Sequence, residues 1–238
     1  MVLGPSCGLT LADLGADVVK VEPAPGGDKT RQLPGSGSGF FGAFNRNKRS
    51  VSVNLKSPEG HKFATNLILE SDVLIENFGT GVMDRLGLGY KEIQKINPRL
   101  IYCALKGFLS GPYENRAALD EVVQMMGGLA YMTGPKGRPL RAGASVNDLV
   151  GALFGTIAIQ AALLERQRTG EGTFVRSGLF ESNMFLVANH MVQYCQTGMP
   201  ADPMPEREAS WAVYDVFQTA DDEKVFVGVV SDKQWVEF

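Results

Sequence analysis

The chain has 238 residues, 44% hydrophobic and 21% charged, with a net charge of -3. That is enough apolar material for one full core, or for a large domain with part of another. So small a net charge excludes a whole-surface attraction to nucleic acid or an anionic membrane, and a phosphate-bearing ligand would have to be held by a local cluster of cations.

No apolar run reads as long and uninterrupted enough to span a bilayer, and the start lacks the order of a secretory signal, so no membrane is expected. The expected compartment is cytoplasmic, or a mitochondrial matrix or peroxisome in a eukaryote. Cys7, Cys103 and Cys195 lack metal-ligand spacing and read as small hydrophobes. His61 and His190 fall in helical patterns, so no metal centre is expected.

The Gly4-Pro5 turn opens directly onto a helical stretch, Ser6 to Leu14, and the β-branched run within Gly15 to Glu22 predicts a short buried strand. Gly35-Ser-Gly-Ser-Gly39 follows Leu33-Pro34 rather than a strand, so it reads as a lid or linker and not a phosphate fingerprint. Phe44-Asn-Arg-Asn-Lys-Arg-Ser50 is the densest positive patch; it suits a phosphate, although a solvated surface run would look the same. A strand at Val51 to Leu55 precedes a helix with Ser57 as cap and Pro58 at its first position. Asp72 to Glu76 predicts a strand ending at Asn77-Phe-Gly-Thr-Gly81, where ligands of open α/β sheets sit and an aromatic can stack on a flat base.

Two short helices follow, Val82 to Leu88 with Arg85 and Tyr90 to Asn97, then a strand, Leu100 to Leu105, and a helical segment, Asp120 to Gly128. Arg141-Ala-Gly-Ala-Ser-Val-Asn147-Asp148 leads into a long helix whose Leu149, Leu153, Ile157, Ala161 and Leu164 are expected to line its buried face. Asp148, in the first turn, reads either as a helix N-cap or as a nucleophilic carboxylate. A strand at Thr173 to Ser177 and one amphipathic helix, Leu179 to Thr197, complete a parallel sheet flanked by helices, a Rossmann-like α/β large domain over residues 1–198. A polar, Pro-rich linker at 199–210 leads to a hairpin, Trp211 to Phe217 with Lys224 to Val230, read as the start of a smaller α+β domain over 211–238.

Several separate motifs now occur in one order: Leu11-Ala-Asp-Leu-Gly-Ala-Asp-Val-Val-Lys-Val-Glu-Pro23, Gly27-Asp28 with Thr30-Arg31, Asn45-Arg-Asn-Lys-Arg-Ser50, Asn77-Phe78 and Asn147-Asp148. Together they resemble the class III CoA-transferases, which include formyl-CoA, carnitine and dicarboxylate CoA-transferases and α-methylacyl-CoA racemase. Val213 to Phe217 followed by Val225 to Val229 is most similar to the dicarboxylate enzymes. The resemblance implies a longer protein, with a strand before the Gly-Pro turn and a later part returning to the large domain, and an interlocked homodimer with active sites at its interface. It implies coenzyme A, as acyl-CoA, and a small carboxylic acid as substrates.

By the same resemblance Asp148 is the nucleophile, with capping as a secondary role. Asn77, Phe78 and Gly79 become adenine and pantetheine contacts, Arg85 a phosphate contact, and Val53 and Lys56 parts of the nucleotide site. Val2 and Leu3 fall near the thioester, with Val2 in place of the usual Gln, and the Gly-rich loop that covers the aspartate in formyl-CoA transferase has no match. The alternatives are a racemase-like isomerase, whose His would stand where this chain has Leu119, and a non-catalytic CoA-binding fragment.

Overall fold

In the computed structural model, which describes residues 1–208 and 210–238, helices and strands alternate from the start. The elements are α1 (Leu3–Asp13), β1 (Val18–Pro23), α2 (Phe40–Asn45), β2 (Lys48–Val53), α3 (Pro58–Leu69), β3 (Val73–Glu76), α4 (Val82–Arg85), α5 (Tyr90–Ile96) and β4 (Ile101–Lys106). They continue with α6 (Asp120–Met126), α7 (Leu129–Thr133), α8 (Val146–Thr169), β5 (Phe174–Gly178), α9 (Leu179–Leu186), α10 (Ala188–Thr197), β6 (Val213–Gln218), β7 (Lys224–Val229) and α11 (Asp232–Glu237). Strands β1 and β2 pair in parallel, with Val18 opposite Lys48 and Pro23 opposite Val53. A second parallel sheet has the order β3-β4-β5, and β6-β7 is an antiparallel hairpin. The mixed α/β architecture with parallel sheets flanked by helices is as expected.

Local chemistry explains most boundaries. Ser57 Oγ accepts the Gly60 N–H at 3.0 Å, and Pro58 occupies the first helical position of α3. Strand β2 begins at Lys48, inside the basic run rather than after it. Within Gly35 to Gly39, read as a lid or linker, residues 35–37 form a 3-10 turn; Leu179 to Thr197 is two helices broken at Val187 rather than one.

Strand β4 shows the period of two that a doubly covered parallel strand allows. Ile101, Cys103 and Leu105 join Leu3, Cys7 and Leu11 of α1 and Ala152, Ile159 and Ala162 of α8. Tyr102 and Ala104 point the other way, among Ala64 and Ile68 of α3 and Ile93 of α5.

Helix α8 corrects the sequence expectation. Its buried face is Asn147, Gly151, Ala152, Gly155, Thr156, Ile159 and Ala162. The leucine face is turned outward, with Leu153 50%, Ile157 59% and Leu164 67% exposed. Both sets obey helical spacing, and the small residues lie inside because α8 approaches its neighbours too closely for leucine: a Cβ on Gly155 would stand 2.7 Å from Leu105 Cδ2 and 3.4 Å from Cys7 Sγ. At 24 residues α8 is also long and apolar enough, by length and composition alone, to cross a bilayer, contrary to expectation. Its small face is nevertheless a core face, and Ser177 Oγ of β5 donates to the Gly151 carbonyl at 2.8 Å.

This contact makes position 155 a test of the packing. Gly155→Val is expected to lower the unfolding free energy by about 1–3 kcal/mol through overpacking, read from the denaturant midpoint at unchanged slope; an unaltered midpoint would show that α8 does not pack on β4 at this distance.

Candidate functional site

Helices α1 and α8 pack side by side in the same direction, Leu3 against Gly151 and Cys7 against Gly155, so that their N-terminal ends lie together with Asp148 in the first turn of α8. Its carboxyl is half-buried. Burial is the largest influence on it and, with the neighbouring Asp120 carboxylate, pushes it up to about 6, against the Leu3 backbone N–H, which favours the ionised form. A carboxylate held this way is desolvated enough to be reactive and still ionises near neutrality.

The expectation that Asp148 also caps its helix is not met. Helix α8 has Ser145 at its N-cap, and Ser145 makes no side-chain cap bond. The first free N–H groups are taken from outside: Asp120 Oδ2, on α6, accepts from Asn147 N at 2.7 Å and Asp148 N at 3.0 Å. Asp120 is itself held by Gln124 Nε2, whose Oε1 accepts the Ala142 N–H at 2.7 Å. Sequence reasoning missed both residues as parts of the site; the one available signal was a polar pair four positions apart, Asp120 and Gln124, on the same side of a short helix as the apolar Val123.

The structure brings Val2, Leu3 and Asn77 to the same place. Val2 and Leu3 are buried in the first turn of α1. A Cβ on Gly4 would meet Asn77 Oδ1 at 2.6 Å, so glycine is what lets the Asn77 side chain lie on this turn. The Asn77-Phe78 turn is fixed from beneath: Glu76 Oε2 accepts the Phe78 N–H at 2.9 Å, and Lys106 Nζ reaches Glu76 Oε1 at 2.6 Å and the Phe78 carbonyl at 2.8 Å. Burial nonetheless leaves the Glu76 carboxyl raised from its ordinary value, with Lys106 opposing.

Phe78, Gly79 and Arg85 follow on exposed backbone and α4. Val53 and Lys56 lie apart from Asp148 at the end of β2, and Val53 lines an open cavity of about 480 Å³ beside the start of α3. Another, of about 460 Å³, is lined by Glu76, Thr80, Lys106, Phe174 and Arg176. Asp148 lines neither of these two.

The basic run resolves toward scaffold rather than phosphate. Arg46 pairs with Asp13 at 2.6 Å and Arg49 with Asp17 at 2.5 Å. Lys48 Nζ donates to the carbonyls of Pro5 and Phe44 at 2.6 and 2.7 Å, and burial lowers its amine to about 8. Glu22, closing β1, accepts from Arg31 through both carboxyl oxygens, from Ser50 and from the Asp28 N–H; the Arg31 bond is the main reason its carboxyl is lowered to about 2. Among the described residues no group of three or more His, Cys, Asp or Glu could hold a metal ion.

Known proteins are similar to this chain in sequence and in fold. An acyl-CoA transferase of Fusarium pseudograminearum is 39% identical over 99% of this chain and 54% of its own length. A succinate–glutarate CoA-transferase of Agrobacterium fabrum is 37% identical over 93% of this chain and 58% of its own. The crystal structure of a CAIB/BAIF family protein from Brucella suis superposes with a TM-score of 0.88 at 37% identity, covering 99% of this chain and 65% of that one. The chain thus spans about half the length of the curated relatives it matches. CoA-transferase family III matches residues 1–238, and the chain belongs to that family.

Proposed function

We propose that the protein carrying this chain transfers CoA from an acyl-CoA thioester to a carboxylic acid, a dicarboxylate in particular, with Asp148 as the covalent carrier. The observation that carries the reading is that the Asp148 carboxyl does not cap its own helix and stands beside the Leu3 N–H at the first turn of α1, the turn on which the Asn77 side chain lies. The relatives named for succinate, glutarate and oxalate support the acceptor class.

In the proposed sequence, the Asp148 carboxylate attacks the donor thioester carbonyl, forming an aspartyl-acyl anhydride and expelling CoA thiolate. The thiolate attacks the aspartyl carbonyl, giving an aspartyl-CoA thioester and releasing the donor acid. The acceptor carboxylate then attacks that thioester to form a second anhydride and thiolate, and the thiolate takes the acceptor acyl group, restoring Asp148. Each step exchanges one activated acyl bond for another, so the thioester's energy is kept as long as water is excluded. Asn77, Phe78 and Gly79 would meet the adenine and pantetheine, Arg85 a phosphate, and Val53 with Lys56 the nucleotide. We assign the exposed Leu153, Ile157 and Leu164 face of α8 to contact with a second copy in a homodimer.

Asp148→Ala and Asp148→Asn are expected to lower CoA exchange by about a thousandfold or more while leaving the circular dichroism spectrum unchanged; exchange at the normal rate would remove Asp148 from the mechanism. Hydroxylamine added with donor acyl-CoA should convert residue 148 to a hydroxamate, seen by peptide mass, and its absence during turnover would exclude the covalent route. Because the ionised form attacks, kcat/KM should fall as the pH drops through about 6. Stability runs the other way, since a raised carboxyl favours the folded state most below its unfolded value of 3.8 and loses that contribution as pH rises through about 6.

A further inference from the structure

A buried polar cluster lies beneath the start of α8: Asp120 is 4% exposed, and Gln124, Asn147 and Asn183 are 0% exposed. Ser145-Val-Asn-Asp148 has the form of a capping box, in which the hydroxyl at 145 would take the 148 N–H and the carboxyl at 148 would reach back to the 145 backbone N–H. Left to its own sequence, the helix would commit the Asp148 carboxyl to its own end. Instead Asp120 takes the N–H groups of 147 and 148, Gln124 holds Asp120, and Asn183 Nδ2 donates to Asn147 Oδ1 at 3.3 Å.

We infer that Asp120, fixed by Gln124, is a positioning residue: by capping α8 from α6 it keeps the Asp148 carboxyl off its own helix end and turned toward the first turn of α1. The inference rests on Asp148 being the nucleophile. The groups of the fold that act on the Asp148 carboxyl are Asp120 from α6 and, on the α1 side, the Leu3 N–H. Asp120 therefore has two separable effects, one on the direction of the carboxyl and one, through its charge, on the pH at which it ionises.

The test is steady-state CoA exchange by the protein carrying Asp120→Asn, which keeps the shape and removes the charge. The expected result is an acyl-CoA KM within about twofold of wild type and a kcat lower by about 10- to 100-fold, the scale of a misplaced reacting group. The acid limb of the kcat/KM profile should move to lower pH, because a neighbouring negative charge has gone. Wild-type kcat with an unmoved limb overturns the inference, and so does a kcat loss that only follows a fall in melting temperature with the limb in place. Should Asp120→Asn not fold, Gln124→Met frees the carboxylate while keeping its charge; a kcat loss of about 3- to 10-fold with the limb in place is then expected, and wild-type kcat overturns the inference. Asp148→Asn, run in parallel, separates the two readings. If it is active, the nucleophile reading fails; if it is inactive while Asp120→Asn behaves as wild type, only the positioning role fails.

Discussion

The closeness of α8 to β4 and α1 is the constraint from which the site follows. Gly151, Ala152 and Gly155 offer almost no bulk, so the helix axis can come within reach of Cys7, Cys103 and Leu105. Were this face leucine, α8 would stand farther off and its first turn would no longer meet that of α1. With the two N-terminal ends together, two partial positive charges converge on one carboxyl, an arrangement that favours its ionised form. Burial and the Asp120 charge outweigh that help, which is why the Asp148 carboxyl ends up above rather than below the ordinary range. The ionised Asp148 carboxylate is thus a state the fold does not prefer, and the cost falls on stability at neutral pH.

Most other charged groups serve as structural ties. Glu22 gathers Arg31, Ser50 and the Asp28 N–H into one knot at the end of β1. Lys48 links the first turn of α1 to the last turn of α2 through two carbonyls. Burial works against ionising Asp28, but Lys20 and Thr30 outweigh it and bring the carboxyl down to about 2. Glu22, the buried one of these groups, and the partly buried Asp28 and Lys48 each have several partners, as the loss of hydration requires.

The sheet was legible from the sequence because parallel strands buried on both faces are short apolar runs set between helix signals, as Val73–Glu76 and Ile101–Lys106 are. The cap at Ser57 was legible because it is local. The orientation of α8 was not, since two opposite faces share the same period and hydrophobicity alone favours the wrong one; only the space available beside β4 decides. Nor was the role of Asp120 legible, because it depends on a contact between residues 27 and 28 positions apart. Residue types near Asp148 announced a helix start, and the identity of what caps that start is a tertiary fact. The basic run shows the converse: its composition invites a phosphate, while Asp13, Asp17 and backbone carbonyls already occupy its cations.

The seat that Gly4 makes for the Asn77 amide has a consequence for how this sequence can change. The two positions occupy one volume, so a side chain gained at 4 displaces the amide at 77, and with it the turn that carries Phe78. Drift at either site is tied to the other, and a lineage that altered one would have to remodel both or abandon the turn.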